Sequence, residues 1–171
     1  MAKTVLAAFA TLSTLFAAAP STGVEISNQT IQATLKKAPA NGSADRQIRV
    51  VDVGKANVGV AVVHRSAQAP PNAIEHDDVT EVYHILRGSG TLVLGGTVVN
   101  GKREAADSKV VTDIAGPSVR GAELQNGQAH RVGPGDVIII PAGVGHSFSS
   151  VDGAIDYLVV RVDADKVLRK Q

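Results

Sequence analysis

Apolar residues fall along this chain in short runs with the period of two that marks β-strands, and turn-forming residues punctuate them. Residues 48–53 and 58–64 are rich in β-branched side chains and are separated by Gly54-Lys55-Ala56-Asn57, a turn signal. Pro70-Pro71-Asn72 breaks the chain again. Residues 79–87 and 91–94 read as a hairpin about Gly88-Ser89-Gly90, with 97–99 continuing beyond Gly95-Gly96. Residues 137–140, 147–151 and 154–162 supply three more strands, and Asp152-Gly153 is a hairpin turn between the last two. Two stretches predict helix. Ser27 caps one running to about Lys37, with Ile31 and Leu35 on one face, and residues 163–170 form a short terminal one. Many short strands with Gly and Pro punctuation predict an all-β sandwich or barrel. Residues 100–134 fit the strand pattern least; they are a long, charge-rich excursion, either functional or merely solvated.

The first nineteen residues stand apart from this pattern. Lys3 precedes an apolar run from Val5 to Phe16, and Ala17 and Ala19 are small residues suited to cleavage before Pro20. That is the layout of a secretory signal peptide, and it predicts a secreted or periplasmic protein. The run is too short to predict a membrane span. Removing 1–19 from 171 residues leaves 152, with 20–47 as helix and linker and 48–171 as one barrel domain. Lys3 is the leader's only charge, so 17 basic residues become 16, matching 16 acidic ones. Such balance offers no basic field for nucleic acid or an anionic membrane surface. There is no cysteine, which excludes disulfides, thiolate catalysis and Cys-based zinc sites.

Chemistry concentrates in two segments. One runs from Glu75-His76-Asp77-Asp78 through Glu81-Val82-Tyr83-His84 to Gly88; the other runs from Gly135 through Pro141-Ala142-Gly143 to His146. On one straight strand His76 and Glu81, five apart, would point to opposite faces. They converge only if the chain turns at Asp77-Asp78, which are turn-favouring residues. Two imidazoles and a carboxylate at one point would make a divalent metal site with open positions. Tyr83 shares the face of Glu81, whereas His84 falls on the other face and is rejected as a ligand.

These segments resemble the two motifs of the cupin superfamily. In G-x5-H-x-H-x(3,4)-E-x6-G, the second histidine matches His76, the glutamate matches Glu81 and the last glycine matches Gly88. In G-x5-P-x-G-x2-H, Gly135, Pro141, Gly143 and His146 match without a gap. One departure is clear: the family's first histidine falls on Ile74. The resemblance covers roughly residues 48–162. It implies a jelly-roll β-barrel with Zn, Fe, Mn, Ni or Cu held by His76, Glu81 and His146, and residues 100–134 as an insertion across the barrel mouth or on its flank.

The implied activity is metal-assisted chemistry on a small organic molecule, of oxygenase, isomerase or lyase type. Tyr83 and His64 are the candidate acid and base, and His64 is also a candidate replacement ligand for Ile74. The alternatives are a barrel that binds a metal or small ligand without turnover, and a structural role. Outward Val82, His84 and Leu86 predict a homodimer contact. The leader itself gives a direct prediction. Mass spectrometry of protein recovered from its native compartment should find a new amino terminus near Pro20, and protein that begins at Met1 or Ala2 in the cytoplasm would contradict it.

Overall fold

The computed structural model describes residues 22–170; the expected signal segment, 1–19, lies outside the described residues. Ser27 caps helix α1 (Asn28–Leu35) by accepting the Thr30 N–H at 3.2 Å, as its position before the apolar face leads one to expect. Leu35 is buried, and α1 packs on the outside of the first two strands. No helix among the described residues is long and apolar enough to cross a membrane.

Five strands form one sheet. They are β1 (Ser43–Asp52), β2 (Asn57–Ser66), β13 (Ala154–Asp163), β4 (Val79–Arg87) and β11 (Val137–Ile140), adjacent in that order and antiparallel. Six form the other. These are β10 (Gln128–Val132), β5 (Gly90–Leu94), β12 (His146–Val151), β3 (Ala73–His76), β8 (Ser118–Gly121) and β7 (Lys102–Arg103). A small ribbon pairs β6 (Thr97–Val98) with β9 (Leu124–Gln125). The two sheets close face to face into the jelly-roll barrel. Tyr83, Ile85, Leu92, Phe148, Tyr157 and Val159 form the centre of the core, each contributing roughly 1.5–3 kcal/mol by leaving water. Strand β4 shows the pleat plainly: Val79, Glu81, Tyr83 and Ile85 are buried, while His84 is exposed on the opposite face.

Two expected hairpins prove to be corners. β4 and β5 lie in different sheets, and so do β12 and β13. The turn at Gly88-Ser89 and the turn at Asp152-Gly153 each hand the chain from one sheet to the other. They do so side by side: Asp152 N–H donates to Ser89 O at 2.9 Å, and Ser89 Oγ donates to Asp152 Oδ2 at 2.7 Å. Glycine supplies the positive φ a corner needs as readily as the one a hairpin needs, so the local signal is the same.

Three further expectations are corrected. The first strand begins at Ser43 rather than Ile48, because polar Asp45 and Gln47 have inward partners on β13. The segment 100–134 is not a bare excursion: it holds β7, β8, β9, β10 and a π-helical turn, Val110–Ala115. The carboxy terminus is not helical. Asp163 instead accepts the N–H groups of Val167 and Leu168, and Lys166 between them has φ of 56°.

The corners carry a stability prediction. A Cβ at Gly88 would lie 1.9 Å from Ala154 O, whereas one at Gly153 would meet nothing within 4 Å. Both have φ near +75°. Gly153→Ala should therefore cost about 1 kcal/mol of backbone strain, and Gly88→Ala roughly 3 kcal/mol because backbone must also move. Denaturant midpoints compare the two, and equal losses would contradict the corner geometry.

Candidate metal centre

Three strands converge on one point. His76 ends β3, the chain turns through Asp77-Asp78, and β4 begins two residues before Glu81. The turn is pinned by Asp77 N–H donating to Pro117 O at 2.8 Å. It transfers the chain between sheets, which is how residues of opposite strand phase meet. His146 opens β12, directly opposite Ile74 on β3. His76 Nε2 lies 3.4 Å and His146 Nε2 3.3 Å from the same oxygen, Glu81 Oε2. The three potential ligand atoms are all within 4.8 Å of one another, and all three residues are buried.

The hydrogen bonds behind this point decide what it can hold. His146 Nδ1 faces Val144 O at 3.2 Å, and a carbonyl only accepts, so Nδ1 carries the proton. Ser118 Oγ spends its single proton on Gly116 O at 2.8 Å, so it accepts from His76 Nδ1 at 2.9 Å. In its neutral form each ring therefore turns a bare Nε2 lone pair toward a carboxylate oxygen. Three acceptors that face one another at such distances repel unless a cation or a proton lies among them. Orienting contacts of this kind, from a hydroxyl and a carbonyl to the far ring nitrogen, are what fix metal-binding imidazoles. The donor set thus fits a divalent ion on chemical grounds.

Charge is arranged to the same end. Burial disfavours the Glu81 carboxylate, but the Arg161 guanidinium outweighs it and holds its pKa well below the usual carboxylate range. Arg161 Nε donates to Glu81 Oε1 at 2.8 Å, leaving Oε2 for the imidazoles. Arg161 also donates to Asp45 and, at 2.9 Å, to Gln47. Burial lowers the pKa of His76 and so favours the neutral ring a metal requires. Burial and the neighbouring Glu81 charge push the Tyr83 hydroxyl well above its ordinary value, and it donates to Glu81 Oε2 at 2.8 Å.

These groups line a cavity of about 480 Å³. Its walls include Ile74 beside His146, and Val110, Ile114 and Ala115 from the π-helical turn. The segment 100–134 therefore builds part of the pocket. Tyr83 is brought to the site, but His64 is not. His64 takes the opposite face of β2 from Val63 and Arg65, where its Nδ1 meets Asp156 Oδ1 at 2.6 Å. Arg87 bonds to the same carboxylate. Asp45, Arg65, Tyr157 and Arg161 in the pocket wall, and Ser118 behind His76, are residues that the sequence did not single out. The one available signal was Arg161, a cation at the phase of Tyr157 and Val159 in a mostly apolar strand.

Comparison with known proteins finds partial likenesses. A family model described as the AraC-like ligand-binding domain matches residues 124–170, the stretch that carries His146 and Arg161. No curated protein matches the chain. Among solved structures, the DMSP lyase DddQ from Ruegeria pomeroyi DSS-3 is 18% identical at a TM-score of 0.44, covering 71% of this chain and 47% of that one. An oxalate oxidase is 20% identical at a TM-score of 0.44, over 77% and 58% of the two chains. The EutQ protein of Clostridium difficile is 14% identical at 0.42, over 72% and 69%. The present chain thus spans only about half the length of the first two. The two-sheeted barrel encloses a pocket whose inward His-Glu-His cluster could hold a metal ion. With both motifs in register at this cluster, the barrel resembles the cupin type.

The centre carries a pH prediction. A proton competes with a metal for each Nε2. An ordinary imidazole titrates at 6.5, and His76 lies below that value. Burial of His76 should therefore keep proton competition at its Nε2 small from about pH 8 to pH 7, with uptake of Zn or Mn falling steeply only at lower pH. Equilibrium dialysis reads this directly, and an affinity that already drops tenfold from about pH 8 to pH 7 would contradict the neutral-ring assignment.

Proposed function

We propose that this is an exported, metal-dependent cupin-type protein acting on a small organic molecule, with Zn, Fe, Mn, Ni or Cu held by His76, Glu81 and His146. The observation that carries the reading is the pair of bare imidazole Nε2 atoms aimed at one oxygen of a buried carboxylate. When bound, a divalent ion there would supply Lewis-acid polarisation of a substrate oxygen or an activated water. The residues of the chain do the rest. Ser118 and the Val144 carbonyl hold the rings in orientation. Arg161 neutralises the far side of Glu81, and Tyr83 keeps its proton and directs it at the ligating oxygen. Tyr83 thus orients Glu81 rather than delivering a proton, and His64 takes no part in the pocket. Ile74, Leu92, Phe148 and the π-helical turn give the apolar wall that excludes bulk water.

A second reading keeps the site without turnover. It is supported by the family match, whose description is a ligand-binding domain, and by Ile74 standing where a further imidazole would strengthen the centre. Two other parts of the proposal rest on separate features. Export rests on Lys3 and the apolar run that follows, and is tested by the mature amino terminus. Homodimer formation is supported by Val137 and Ile139, which are 62% and 66% exposed and lie in register with His84 and Val82. Sedimentation that finds only monomer at micromolar concentration would remove that part.

The metal assignment predicts a pattern across variants. His76→Ala and His146→Ala should each strip most of the bound ion, while His84→Ala should leave it in place. Ser118→Ala should weaken affinity about 10–100-fold without loss of fold, by freeing the His76 ring. Elemental analysis and metal titration read all four. A wild-type protein that carries no metal and takes up none of the five at neutral pH would leave only the ligand-binding reading.

A further inference from the structure

The alternation of β2 turns Val63 and Arg65 toward the cavity and His64 away from it. Arg65 is buried, at 6% exposed, yet among the described residues its guanidinium makes a single hydrogen bond, from Nη2 to Pro70 O at 2.7 Å. No carboxylate lies within ion-pair distance of it among the described residues. Other arginines at the cavity are paired: Arg161 with Glu81 and Asp45, Arg120 with Glu104. Arginine carries five N–H donors and keeps its charge at any physiological pH. A buried cation with most of its donors unspent is costly unless something brings charge to it.

The neighbouring groups say what that something is. Tyr157, also buried, lines the same cavity, and its hydroxyl has no hydrogen-bond partner among the described residues. Arg65 and Tyr157 are close enough for each to perturb the other's titration. The Arg65 Nε and Nη1 atoms and the Tyr157 hydroxyl are not among the sealed, unpartnered atoms, so they meet open space. Arg65 also borders a second cavity of about 520 Å³, but Tyr157 does not, which favours the side facing Glu81. Charge count agrees. Arg65, Arg120, Arg161 and a divalent ion would bring five positive charges to the pocket against the three negative charges of Asp45, Glu81 and Glu104, the partner of Arg120.

We propose that the cavity takes a small organic anion whose carboxylate is seated on the Arg65 guanidinium and the Tyr157 hydroxyl, with its other end toward His76, Glu81 and His146. This names a substrate class for the site and rests on the metal reading for the second anchoring point alone. A planar carboxylate matches the fork of guanidinium donors. The excess of two positive charges in the metal-loaded pocket favours a dicarboxylate over a monocarboxylate.

The test is calorimetric titration of the full protein, metal-loaded and metal-stripped, with acetate, malonate, succinate and benzoate, each against its neutral amide. At least one carboxylate should bind tenfold or more tightly than its amide. Arg65→Gln should lower that affinity about 10–100-fold, while metal content is unchanged and the melting temperature is equal or higher, because an unpaired buried charge has gone. A purely structural Arg65 would instead lower the melting temperature and leave anion preference intact, which would overturn the proposal. So would failure of all four acids to outbind their amides, or sulfate binding as tightly as the best of them. If elemental analysis finds no metal while an Arg65-dependent carboxylate preference persists, the metal reading fails and the anion seat stands.

Discussion

One ionised carboxylate organises this molecule. Glu81 is fully buried, and an isolated charge in such a place would lose several kcal/mol of hydration. Its two oxygens are therefore divided. Oε1 takes the Arg161 guanidinium, a contact worth roughly 4 kcal/mol at an effective dielectric near 20. Oε2 accepts a hydrogen bond from the Tyr83 hydroxyl and faces the imidazoles. Arg161 in turn needs Asp45 and Gln47, which is why β1 must begin early and run polar. It also needs clearance on the neighbouring strand, and Gly59, opposite Arg161 in register, gives it: a Cβ there would sit 2.8 Å from Gln47 Nε2. Much of the inward face of the five-stranded sheet is thus a solution to the problem of keeping Glu81 charged.

The strands that were legible from the chain are those in which β-branched residues and period two coincide, such as 58–64, 79–87 and 154–162. What could not be read was where each strand goes. Gly88-Ser89-Gly90 and Asp152-Gly153 have the chemistry of a hairpin, and only distant register, β4 with β13 and β5 with β12, makes them corners. Strand β10 escaped notice because Gln128, Ala129, His130 and Arg131 are all exposed at a sheet edge, so no apolar face marks it. Among site residues, His76, Glu81 and His146 were readable because turn chemistry and spacing locate them without any knowledge of the core. Arg65 and His64 are adjacent on β2, and the pattern alone does not say which of the two phases faces in. Both phases of β2 and β13 carry apolar residues, so alternation has no polarity to break the tie.

The division of the ligands between the sheets has a thermodynamic consequence. His76 and His146 belong to the six-stranded sheet, and Glu81 with its arginine to the five-stranded one. Neither sheet alone holds a site, so an ion that binds all three side chains binds only the closed barrel. Mass action then converts affinity into folding free energy: an ion present at a hundred times its dissociation constant adds about 2.7 kcal/mol. For a barrel without disulfides, that is a clasp set by the metal content of its surroundings. The same protein would be sturdier in a metal-rich compartment than in a metal-poor one, with no change in its sequence.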